Sequence, residues 1–162
     1  MSIRQQTAET PVGPFGRAAL IGFASVFAGC FVVALCLSPD PRGYGTHQQL
    51  GLPPCTFRLM FGCPCPGCGM TTSFVHFVRG DLAASVRANA AGAVMAIVFA
   101  LLIPWCVTSA WFGRLWFVSN PFVAGGILAM ALSALALVVW VSRLIGPVFF
   151  ALRQIALYEN WC

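Results

Sequence analysis

Three predominantly apolar stretches of this chain, not broken up by a Gly/Pro cluster, run for twenty residues or more without a charge: 18–37 (AALIGFASVFAGCFVVALCL), 90–113 (AAGAVMAIVFALLIPWCVTSAWFG) and 122–142 (FVAGGILAMALSALALVVWVS). Crossing the hydrocarbon core of a bilayer takes roughly 20 apolar residues in a helix, so each run is read as a transmembrane helix. The first exceeds the roughly 7–15 residues of a secretory signal core. Composition agrees, with 59% hydrophobic residues and 8% charged; a soluble domain carries about 25% charged residues. The solvent for most of this chain is therefore lipid, and the fold class expected is all-α integral membrane with three spans. Pro104 inside the second run predicts a kink, and its tryptophans gather toward its end, where indoles favour headgroups.

The flanking segments are less regular. Residues 1–16 are polar and turn-rich and read as a mobile tail. After Arg143, apolar residues at a 3.6 period over 144–158 predict a separate helix lying at the interface. Gly125, Gly126, Ala129 and Ser133 recur at three- and four-residue steps on the third span, a pattern that lets a membrane protein partner or a second copy approach. All nine basic residues are arginine, against four acids, and no basic patch is interleaved with aromatics, so nucleic acid is not an expected partner. Arg4, Arg17 and Arg114 fall on one side of the spans, and Arg42, Arg58, Arg79, Arg87, Arg143 and Arg153 on the other. The positive-inside rule places the larger set in the cytoplasm.

The segment 39–89 between the first two spans is more than a loop. From Cys55 to Val78 it is largely apolar, yet Gly62, Pro64, Pro66, Gly67 and Gly69 interrupt it. A re-entrant or interfacial helical hairpin with the cysteines at its turn is expected, since irregular backbone at membrane depth survives only where protein or water satisfies it. Thr71, Thr72 or Ser73 would cap the helix after the turn, Gly80 would close it, and Asp81 would cap a short helix over 82–88.

The turn reads GCPCPGCGM, and Cys65-Pro66-Gly67-Cys68-Gly69 has the C-P-x-C-G form of the knuckles that give two thiolates to zinc ribbons. Proline fixes one dihedral and glycine permits positive φ, which lets such a turn aim amides at sulfur. One knuckle is half a tetrahedral site. Cys63 and Cys55 are the candidates to complete it, with His47 and His76 less favoured. Zn²⁺ suits such a set, and Cys63-Pro64-Cys65 also suits Cu(I), which paired thiolates select. The same residues support two rival readings: a rigid turn that docks a partner as an accessory or scaffold subunit, and a thiol-disulfide oxidoreductase. No conventional catalytic constellation is present, which leans against an enzyme. Cys30, Cys36 and Cys106 lie in apolar runs and read as small buried hydrophobes.

The stretches HQQLGLPPCTF, CPCPGCGMTTSF and RGDLAASVRANAAG, in that order, resemble the bacterial membrane proteins grouped as domain-of-unknown-function family 2752, whose hallmark is C-P-x-C-G followed by a threonine, here Thr71. Many members carry arginine after that threonine, where this chain has Thr72. The resemblance spans about His47 to Gly92 and implies a small multi-pass protein of the bacterial inner membrane. It implies no reaction.

Overall fold

The computed structural model describes the backbone of residues 10–159 and the side chains of residues 11–146. Helix α1 (Pro14–Cys36) is the first span. It starts four residues earlier than the apolar run, because Pro14 suits the first turn of a helix, where its missing N–H is not needed. The tail before it is partly tied down: β1 (Thr10–Pro11) pairs antiparallel with β2 (Arg114–Leu115), and the Val12 amide donates to the Gly113 carbonyl at 2.8 Å.

Helix α5 (Ala90–Phe112) is the second span and runs through Pro104, where Thr108 Oγ1 donates back to the Pro104 carbonyl at 2.8 Å. The third run opens α6 (Pro121–Glu159), of which Pro121–Gly146 is long and apolar enough to cross a membrane. The separate interfacial helix expected over 144–158 is instead continuous in backbone with this span. Arg143, read as the end of the span, lies within this helix, and its guanidinium donates to the Cys68 carbonyl at 2.9 Å. The side chains of that helix from residue 147 onward lie outside the described residues. The chain is thus an all-helical, multi-pass membrane protein with three helices fit to span.

These helices do not share the interior equally. In α5 the most apolar window is 28% buried within the protein, against 11% in α1 and 0% in the α6 span. Helix α5 is therefore the pillar, and α6 stands at the periphery with its apolar surface to lipid. A Cβ added at Gly125 or Gly126 would meet no neighbouring element within 4 Å.

Two apolar clusters hold α1 to α5. Near β1 and β2, Leu20, Ala24, Cys106, Ala110 and Leu115 pack together. At the opposite end Ala34, Leu37, Phe74, Val75 and Ala96 form the second cluster, crossed by Phe27–Phe99 and Phe74–Phe99 ring contacts at 4.4 and 5.7 Å. Cys106 is the buried small hydrophobe expected, but Cys30 and Cys36 face outward.

The segment between the first two spans folds as a 3₁₀ turn (Thr46–Leu50) and three short helices, α2 (Thr56–Phe61), α3 (Met70–Val78) and α4 (Leu82–Ala88). Asp81 caps α4 as its position suggests, accepting from the Ala84 amide at 2.8 Å, and Gly80 closes α3 at φ 79°. The start of α3 departs from expectation. No hydroxyl caps it; Gly69 does, at φ 85°, while Thr72 and Ser73 are drawn into the interior. Ser73 accounts for the change: its Oγ donates to the Asn89 carbonyl at 3.0 Å and meets Ser85 Oγ at 2.9 Å, clamping α3 to the α4–α5 junction. Ser85 Oγ returns a bond to the Ser73 carbonyl at 2.8 Å.

Candidate metal centre

Helix α2 ends at Gly62, whose left-handed backbone (φ 68°) turns the chain back on itself. The following turn therefore returns to where α2 began. Cys55 stands at the N-cap of α2, and Cys65 and Cys68 bracket the knuckle, which the Cys68 amide closes onto the Cys65 carbonyl at 3.0 Å. The three sulfurs lie within 4.8 Å of one another, and the Cys65 thiol donates to Cys68 Sγ at 3.4 Å.

Cys63, His47 and His76 are not in this group. Cys63 is half-buried in the chain's approach to the knuckle. His47 lines the same cavity as the three cysteines, with its Nε2 at 3.2 Å from the Pro53 carbonyl. His76 lies in the last turn of α3.

Three parts of the chain immobilise the knuckle. Asn89, 1% exposed, caps α5 by accepting from the Gly92 amide at 3.0 Å while its Nδ2 donates to the Cys68 carbonyl at 3.1 Å and reaches the Pro66 carbonyl at 3.4 Å. From α6, Trp140 Nε1 donates to the Pro64 carbonyl at 2.7 Å and Arg143 to the Cys68 carbonyl. Below the turn, Thr72 Oγ1 meets Thr46 Oγ1 at 2.8 Å, and Thr46 Oγ1 accepts from the Asp40 amide at 3.1 Å. Thr72 is thus a buried hydroxyl joining α3 to the 3₁₀ turn. An asparagine before an apolar run was the one legible sign, as a helix cap.

Gly69 explains why the motif ends in glycine. Its φ is left-handed, and a Cβ there would lie 2.5 Å from the Ala88 carbonyl oxygen and 2.7 Å from that of Gly43. The knuckle is wedged between two backbone segments that leave no room for a side chain.

The thiols are not equivalent. The backbone N–H of Arg58, helped by the neighbouring thiols of Cys65 and Cys68, holds the Cys55 thiol below its ordinary range. Burial, together with the hydrogen-bonded thiols of Cys68 and Cys55, pushes Cys65 up to about 11. Three thiolates so close repel one another unless a cation sits among them, and a coordinated thiol is deprotonated outright. The sulfurs lie within reach of a single metal ion.

The three cysteines share the wall of a cavity of about 540 Å³ with Arg42, Tyr44, His47 and Arg58. The two arginines flank the Tyr44 ring, Arg58 at 3.6 Å from its centroid and Arg42 at 5.2 Å. Asp40 binds Arg42, with Oδ2 at 2.7 Å, and the Arg42 guanidinium and amide bring its carboxyl pKa down to about 2.

Residues 55–103 match the model of a family described as "Protein of unknown function (DUF2752)". The cysteine-bearing segment is thus similar to that family over under a third of the chain. The match takes in all three clustered cysteines, α3, α4 and the first half of α5, reaching further into the second span than the resemblance read from the motifs. No curated protein and no solved structure matches the chain.

Proposed function

We propose that this protein binds or handles a thiophilic metal ion, Zn²⁺ or Cu(I), through Cys55, Cys65 and Cys68 at one face of the membrane. The observation that carries the reading is the convergence of three sulfurs within 4.8 Å. In a tetrahedral zinc site with Zn–S bonds near 2.3 Å, sulfurs stand about 3.8 Å apart, so small side-chain shifts bring these three onto one ion. The hydrogen bonds from Asn89, Trp140 and Arg143 support it further, because they fix the knuckle backbone. Outer contacts of that kind orient ligands. They also favour a metal site over a docking turn, since the turn's outward carbonyls are already taken by the chain's own third span. By the distribution of arginines, the cysteine face is cytoplasmic.

A second reading rests on the 3.4 Å contact between Cys65 and Cys68, which suits a dithiol that cycles to a disulfide. One experiment separates the two. Protein purified in detergent under reducing conditions is assayed for bound metal and for free thiols. The metal reading expects one ion per chain, lost in Cys65→Ser and Cys68→Ser and retained in Cys63→Ser. An ion-free protein whose thiols all react at once, even after exposure to Zn²⁺ or Cu(I), would sink it.

A further inference from the structure

Three sulfurs leave a four-coordinate divalent ion one ligand short. On the proposed metal reading, that position has to be filled from the cavity onto which the cysteines open. The cavity wall holds Arg42, Arg58 and His47 and no aspartate or glutamate; His47 lies outside the sulfur group, with its Nε2 engaged 3.2 Å from the Pro53 carbonyl.

The two arginines differ in what they have left to give. Arg42 has its Nε and Nη2 on Asp40, at 3.0 and 2.7 Å. Arg58 makes no ion pair among the described residues, and its guanidinium carbon stands over the Tyr44 ring at 3.6 Å from the centroid. A stacked guanidinium with unengaged N–H groups presents the planar fork that matches carboxylate and phosphate oxygens.

Charge points the same way. Three thiolates and a divalent ion sum to −1, and a singly charged oxyanion brings the total to −2. Arg58 on the cavity wall and Arg143 on the Cys68 carbonyl supply +2. A monovalent ion with three thiolates reaches −2 alone and leaves nothing for an anion to balance.

We propose that the divalent-metal form of this site takes a small oxyanion, a carboxylate or phosphate group, as its fourth ligand, held by the Arg58 guanidinium against Tyr44. The group comes from a free anion or from an anionic lipid headgroup; the recognition chemistry is common to both.

Co²⁺ provides the probe, since its thiolate charge-transfer bands report the sulfurs and its visible d–d bands report the whole coordination sphere. Full-length protein in a zwitterionic detergent is loaded with Co²⁺ and titrated separately with acetate, inorganic phosphate and phosphatidylglycerol, with phosphatidylcholine as control. The expected result is a saturable shift of the d–d bands with the charge-transfer bands unchanged. Arg58→Gln should raise the half-saturation concentration about tenfold to a hundredfold, the range of a lost hydrogen bond between charged groups. Arg58→Lys should fall between it and the wild type, and Arg42→Gln should change it little. A response to acetate or phosphate identifies a free anion; a response to phosphatidylglycerol alone identifies a headgroup. Intact charge-transfer bands with d–d bands indifferent to every anion would overturn the oxyanion and leave the metal reading standing. An anion response unchanged in Arg58→Gln would overturn the role of Arg58. Absence of thiolate bands altogether would overturn both readings.

Discussion

Replacing Gly69 by alanine tests whether the knuckle is wedged as the structure shows. Two costs add. The left-handed backbone at φ 85° disfavours any Cβ by about 1–2 kcal/mol. The Cβ then meets two backbone carbonyl oxygens at 2.5 and 2.7 Å, neither of which can swing aside like a flexible side chain. Forcing a methyl into such a contact typically costs about 1–3 kcal/mol. Gly62→Ala isolates the first cost, since Gly62 has φ 68° with nothing within 4 Å. Gly67→Ala isolates neither, having an ordinary φ and open space around it. Thermal unfolding in detergent, followed by helical circular dichroism, should therefore rank Gly67→Ala near wild type, Gly62→Ala lower and Gly69→Ala lowest. The gap between the last two should correspond to about 1–3 kcal/mol, several degrees in a domain of this size. Equal melting temperatures for Gly62→Ala and Gly69→Ala would refute the wedge, because the two differ only in what surrounds the added methyl.

Other outcomes follow from the same contacts. Asn89→Ala removes the α5 cap and a donor to the Cys68 carbonyl; it should cost about 1–2 kcal/mol from the cap alone and weaken metal binding. Equilibrium unfolding and a competitive chelator titration read the two effects separately. Metal affinity should rise with pH, because binding expels thiol protons: Cys65 at about 11 holds its proton through neutrality, while Cys55 is depressed and holds its own less firmly. Proton release on metal addition in weak buffer at pH 7 should thus reach at least about one per ion, from Cys65, and release near zero would contradict the assignment. Asp40, depressed to about 2 from 3.8, stabilises the fold above its unfolded value and loses that contribution as pH falls from about 4 to about 2; Asp40→Asn should remove this part of the acid sensitivity in a pH series of melting curves.

What was legible in the sequence was what local chemistry decides. Long unbroken apolar runs marked the three spans, and Asp81 and Gly80 marked the start of α4 and the end of α3, because each acts within a few residues of itself. Membership of the cysteine group was less legible. Cys63 is two residues from Cys65 and Cys55 ten, yet the reversal at Gly62 returns the knuckle to the start of α2 and selects the more distant thiol. Ser73 and Thr72 were misread as cap residues because a hydroxyl at a helix start has two uses, and only the presence of Ser85, Asn89 and Thr46 opposite decides between them. Arg143 was also misread, as a boundary; its partner is a carbonyl 75 residues earlier, and no periodicity encodes that distance.

The hydrogen bonds from Trp140 and Arg143 also set an order of events during synthesis. Cys55, Cys65 and Cys68 leave the ribosome some 75 residues before the side chains that lock their turn. Until the third helix is inserted, the Pro64 carbonyl lacks its donor and the Cys68 carbonyl has Asn89 alone. The backbone bonds that hold the cysteine turn are therefore completed last, after the third span is in place.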